Sequence, residues 1–175
     1  MGLEKLLPQW FHKILKKKEK LLLFDKARLI ATDPLTGRIV KVIETEDLVV
    51  TVGKNMVGDM LIDTGVQFDT GLTYCALGSD NTAPAIGQTQ LVDEGGGAAM
   101  RKTITSRTRL VNVITLSTFF TAAQSTLAIE EAGIFGSSTA GVVENSGIMF
   151  SRWLASFDNT GGLYDITISY LLTIS

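Results

Sequence analysis

The 175 residues contain one histidine and one cysteine, which limits the nucleophilic and metal chemistry open to the chain. His12 lies in a lysine-rich stretch and Cys75 in the apolar run Leu-Thr-Tyr-Cys-Ala-Leu-Gly, too far apart in sequence to suggest a thiol–imidazole couple. Zinc clusters need more of these side chains than are present, and the one imidazole a Ser-His-Asp triad could use lies in the lysine-rich stretch. A lone cysteine in an apolar run reads as a buried, inert thiol, and it excludes an intrachain disulfide. Glu130 and Glu131 are adjacent carboxylates. On a strand they point to opposite faces, so they cannot flank one glycosidic bond. The glycine-rich segment Asp-Glu-Gly-Gly-Gly (93–97) lacks the Lys-Ser/Thr ending of a phosphate-binding loop. Asp80, Asn81, Asp93 and Glu94 offer oxygen ligands, but a long uncharged stretch separates them, whereas calcium loops space their carboxylates at short fixed intervals. The residues therefore point away from an enzyme and give no catalytic, cofactor or metal site.

Glu131 still needs an explanation. In Thr-Leu-Ala-Ile-Glu-Glu-Ala-Gly-Ile-Phe it shares strand parity with Leu127, Ile129, Gly133 and Phe135. A carboxylate on an apolar face costs several kcal/mol unless it is paired. The candidate partners are Arg152, Arg101, Arg107 and Arg109, all in strand-like segments.

The elements that must position these residues are mostly short strands. Segments 21–31 and 38–44 flank the turn Thr-Asp-Pro-Leu-Thr-Gly-Arg and form a hairpin. Residues 47–53 read as a third strand ended by Gly53, and 54–63 as a short helix capped by Asn55. Strands are expected at 72–78, 101–110, 110–117, 126–136 and 147–155. The last, 163–175, alternates Tyr164, Ile166, Ile168, Tyr170, Leu172 and Ile174 against polar residues. Short strands separated by glycine-rich turns indicate a mainly β fold, an antiparallel β-sandwich or flattened barrel, over residues 21–175.

Residues 1–20 differ in kind. Leu3, Leu6, Leu7, Trp10, Phe11, Ile14 and Leu15 follow the spacing of one helical face, with Lys16, Lys17 and Lys18 beyond and Pro8 at the start or a kink. Residues 1–30 carry eight Lys/Arg against three acids, a charge of +5, so the remainder carries −7 within the net −2. A basic amphipathic arm on an acidic body suggests docking in a groove of a partner protein. Packing on its own domain and lying on a membrane surface are the other uses of such a helix. The acidic body argues against sequence-specific nucleic-acid binding. No apolar run reaches the ~20 residues of a membrane span. Glu4, Pro8 and the Lys-Lys-Lys-Glu-Lys run do not suit a signal peptide, and Leu6 stands where a myristoylation signal has Ser or Thr.

Several segments, in order, resemble a β-sandwich module of tailed-bacteriophage structural proteins found in tail-fibre, baseplate, neck and head-decoration contexts. They are Asp-Leu-Val-Val-Thr-Val-Gly-Lys-Asn-Met, Ala-Leu-Gly-Ser-Asp-Asn-Thr-Ala-Pro with Leu91 and Glu94, Glu-Glu-Ala-Gly-Ile-Phe-Gly, and Met-Phe-Ser-Arg-Trp. The match covers roughly 38–175 and falls on Gly78, Pro84, Leu91, Glu94, Glu131, Gly133, Phe135 and Arg152. Gly78-Ser79-Asp80 replaces the family's commoner Gly-Thr-Gly, and residues 1–20 have no counterpart. The resemblance implies a non-enzymatic, multi-copy homo-oligomeric virion protein, assembled in the host cytoplasm and contacting capsid, neck or tail proteins. A receptor- or carbohydrate-binding sandwich at a fibre is the alternative, with Trp153, Phe157 and Tyr74 as its aromatic candidates. In either case Leu91 is expected to pin the 74–94 loop, and Glu94 to bond backbone or an arginine.

Overall fold

A computed structural model describes residues 23–62, 71–95 and 100–175. The arm residues 1–20, and with them every arm contact expected from the sequence, lie outside the described residues.

Among the described residues ten strands form two five-stranded antiparallel sheets. They are β1 (Leu23–Thr32), β2 (Ile39–Glu46), β3 (Leu48–Val49), β4 (Leu72–Gly78), β5 (Arg101–Thr103), β6 (Ser106–Leu110), β7 (Val113–Phe120), β8 (Ala128–Gly136), β9 (Ile148–Asp158) and β10 (Asp165–Ile174). The first sheet runs β2-β1-β10-β7-β6 and the second β3-β9-β8-β4-β5. An α-helix, α1 (Thr51–Ile62), packs on β9. The antiparallel sandwich expected from the sequence is the fold.

The two sheets bury one face each. Ala27, Leu29 and Ala31 alternate inward from β1, and Ile166, Ile168 and Tyr170 do so from β10. Opposite them lie Cys75 and Leu77 of β4, Ala132 and Ile134 of β8, and Trp153 of β9. Tyr170 stacks on Trp153 with ring centroids 5.7 Å apart, joining the sheets at mid-core. Cys75 is fully buried and its thiol is pushed up to about 12 by that burial, the inert state expected for it.

The β1–β2 turn follows from its residues. Asp33 Oδ1 accepts the N–H groups of Leu35 and Thr36 at 2.8 and 3.1 Å, and Gly37 takes φ +68°. Those bonds hold the Asp33 carboxyl below its usual range.

Three sequence expectations need correction. The strand expected at 47–53 shrinks to Leu48–Val49, because α1 begins at Thr51 rather than at an Asn55 cap. Gly53 is a point of close approach rather than a strand end: a Cβ there would stand 2.2 Å from the Phe150 carbonyl oxygen. Only glycine lets the helix lie so near β9. The single strand expected at 101–110 is two strands in different sheets, with Ile104 and Thr105 carrying the chain across. Ile104 is buried in the core, where it anchors the crossing. Finally, Glu131 does not share a face with Ile129. The β8–β9 register slips between them, so Ile129 joins the inner core while Glu131 faces outward.

β6 is the outer strand of the first sheet, and its five residues are exposed. Arg107 and Arg109 pair in register with Leu116 and Ile114 of β7, so these arginines stand on the inner-facing side.

Candidate interaction site: the stapled loop over the second sheet

After β4 the chain leaves the sheet at Gly78 and crosses its outer face as far as Glu94, which returns to Gly78 through a single bridge. Beneath this loop lies a small second core of Val50, Ala76, Leu91, Phe135 and Met149. Leu91 is 5% exposed and packs in this core, the placement from which it would pin the loop. Burying a leucine is worth ~1.5–3 kcal/mol. Two glycines make room for it. A Cβ at Gly133 would lie 3.0 Å from Leu91 Cδ2 and 3.2 Å from the Phe135 ring. A Cβ at Gly78 would meet Asp93 O at 2.6 Å and Glu131 Oε1 at 2.7 Å.

Two buried ion pairs fasten the loop. Of the four arginines considered for Glu131, Arg152 is the partner; its Nε donates to Oε2, with both side chains fully buried. Glu131 also accepts the loop's own N–H groups, Val92 at 3.2 Å and Asp93 at 2.7 Å. Arg152 continues outward, its Nη1 donating to Gln88 Oε1 at 3.3 Å and its Nη2 lying 3.8 Å from Asp80 Oδ1. One carboxylate and one guanidinium thus hold three parts of the loop to two strands. Their mutual neutralisation and the extra hydrogen bonds offset the cost of burying both charges.

The second pair was only half legible. Glu94 receives a bidentate grip from Arg101, Nε to Oε1 at 2.6 Å and Nη2 to Oε2 at 3.0 Å. Arg101 Nη1 donates to Ser146 O at 2.6 Å, and Asn145 N–H donates to Glu94 Oε2 at 3.2 Å. The guanidinium lies over the Phe135 ring, 3.8 Å from its centroid. The pair therefore ties the 79–95 loop to the β8–β9 loop. Gln90 adds to this, donating to Asn145 O at 3.0 Å. Sequence reasoning allowed Glu94 an arginine without saying which. It missed Gln88 and the Asn145–Ser146 backbone, because no local spacing links them to the loop.

Above this base the crest is open. Thr82 N–H donates to Asp80 Oδ1 at 2.7 Å, Pro84 is half-buried, and Ala85 N–H donates to Gln88 Oε1 at 2.8 Å. The Asp80 carboxyl sits below its usual range because of the Thr82 bonds. The crest is joined to α1 as well, since Thr51 N–H donates to Ile86 O at 2.9 Å. Ile86 and Val92 on this loop, and Val142 and Val143 on its neighbour, are exposed apolar side chains. A base neutralised by two ion pairs, with an exposed crest above it, can make protein contacts.

Of the aromatic candidates for a sugar site, Tyr74 packs against this second core and the other two lie away from it. Trp153 is fully buried against Tyr170, while Phe157 packs edge-on to Tyr164 at 5.8 Å and Tyr74 is half-buried. Among the described residues no three His, Cys, Asp or Glu side chains gather as a metal cluster, and no helix is long and apolar enough to cross a membrane. Compared with protein-family models, curated proteins and solved structures, the chain matches none.

Proposed function

We propose that this chain is a non-enzymatic structural protein of a tailed-bacteriophage virion, present in many copies and working through repeated protein–protein contacts at the capsid, neck or tail. One observation carries the reading. The residues behind the phage-module resemblance, Gly78, Leu91, Glu94, Glu131, Gly133, Phe135 and Arg152, converge on a single buried lock. A shared pattern that maintains a loop platform fits a building block whose working surfaces vary, and the exposed crest at 81–87 is such a surface. The amphipathic residues 3–15 would add a docking arm.

Purified particles from the producing culture test this directly. Quantitative mass spectrometry should find the chain in multiple copies per particle, and absence from particles overturns the reading. In a complementation assay, a chain lacking residues 1–20 should fold but be depleted from particles. Normal incorporation would show that the arm is not the anchor.

A further inference from the structure

A second polar site lies between the sheets and takes no part in the loop lock. Asp25 occupies the inward parity of β1, in line with Ala27, Leu29 and Ala31. Its register partner on β10 is Leu172, two residues from Tyr170. Asp47 sits at the corner where the chain passes from β2 in the first sheet to β3 in the second. Ser151 of β9 pairs in register with Val49. Four side chains from four elements thus bring oxygen to one corner.

Their oxygens are shielded and face only one another. Asp25 Oδ1, both carboxylate oxygens of Asp47, Ser151 Oγ and the Tyr170 hydroxyl form no well-aligned hydrogen bond and interact only within this group. Ser151 and Tyr170 are both fully buried, and the Tyr170 hydroxyl interacts with both carboxylates. Among the described residues neither aspartate has an ion-pair partner. Two cavities of about 430 and 450 Å³ share Leu23, Asp25 and Asp47 in their walls. Lys54 lines the first, and Lys26 and Glu46 the second. Buried hydroxyls aimed at two uncompensated carboxylates are a costly arrangement unless something cationic completes it.

We infer that the Asp25–Asp47 corner binds a hard divalent cation of the calcium class, with Ser151 and Tyr170 supplying the neutral oxygens. The donor set is all oxygen, with no imidazole or thiolate, which favours Ca²⁺ over zinc-like metals. Two carboxylates match one divalent charge. The irregular mixture of carboxylate, hydroxyl and phenol suits calcium's flexible coordination better than the strict octahedron of magnesium. A bound ion would tie Asp25 and Tyr170 of the first sheet to Asp47 and Ser151 on the second, closing the sandwich at its sheet-crossing corner.

The test uses the full-length chain, freed of metal by chelation and titrated at pH 7.5. Terbium, a calcium surrogate, should luminesce on indole excitation because Trp153 stacks on Tyr170 at the site. Calcium should displace it with a midpoint of about 10⁻⁴–10⁻³ M, the range of modest extracellular sites. Calcium well above that midpoint should raise the melting temperature by about 5 °C. Asp47→Asn should abolish both responses, and Ser151→Ala, a milder change, should weaken displacement several-fold while near-ultraviolet circular dichroism stays native. No terbium signal and no melting shift at ~10 mM Ca²⁺, ten times the weakest expected midpoint, would overturn the site. So would undiminished responses in a folded Asp47→Asn chain. An unsubstituted chain indifferent to calcium but stabilised by Asp47→Asn would overturn the metal site and mean that the two carboxyls share a proton.

Discussion

Two pairs of acidic side chains, one buried and one half-buried, are held in this sandwich under opposite terms. On the outer face of the second sheet, Glu131 and Glu94 each hold an arginine and accept backbone N–H groups, so every charge has its counterpart within 3.2 Å or less. At the inner corner, Asp25 and Asp47 have only each other, Tyr170 and Ser151. Burial and then the neighbouring Asp47 charge push the Asp25 carboxyl up to about 8, and burial raises Asp47 as well. The Tyr170 hydroxyl is driven well above its ordinary range by burial and both aspartates. The more deeply buried carboxylates are the ones whose charge is met, so what a carboxylate does follows from its neighbours. A built-in cation makes it a staple, whereas the lack of one leaves it a receptor for a proton or a metal.

The contrast can be broken from either side. Arg152→Met should have the largest effect. It strands Glu131 under the loop and should cost about 3–5 kcal/mol in denaturant unfolding. A near-neutral result would mean the staple is ornamental. Leu91→Ala should cost about 2–5 kcal/mol by the same measurement, since it empties the second core without touching either ion pair. The inner corner should instead announce itself through pH. Because the folded Asp25 carboxyl lies above its unfolded value of 3.8, its contribution is fully present below that value and lost as pH rises through about 8. In chelator, melting temperature should fall across that window, and Asp25→Asn should flatten the fall. An unchanged slope would place the titration elsewhere. Smallest of all, Asp80→Ala removes only an Asx turn and a 3.8 Å contact with Arg152, and should leave the denaturation midpoint almost unmoved.

Much of the loop lock was legible in the sequence, because its logic is local. Glu131 on an apolar stretch demanded an arginine, and Leu91 with Glu94 marked the loop's return. The partner of Glu94 was not legible, since Arg101 follows a glycine-rich gap that gives no geometric constraint. The helix start at Thr51 was hidden for a different reason. Val-Val-Thr-Val has strong strand propensity, and tertiary packing of Gly53 on Phe150 overrides it. The split at Ile104 was invisible because both halves alternate correctly and only the change of sheet divides them. The inner corner was missed although a signal existed. Asp25 is the single charged residue on the Leu23-Asp25-Ala27-Leu29-Ala31 parity, and reading that face residue by residue would have flagged it.

The placement of Arg107 and Arg109 on the inner side of β6 bears on how copies of this chain could meet. A sandwich with free outer strands is at risk of recruiting another strand and growing without limit into insoluble fibres. Two guanidinium groups turned toward the core side of that edge would be trapped beneath any strand that docked there, stripped of water and unpaired. Copies of the chain should therefore not add strands at the β6 edge, and any contact there would form through loops and faces.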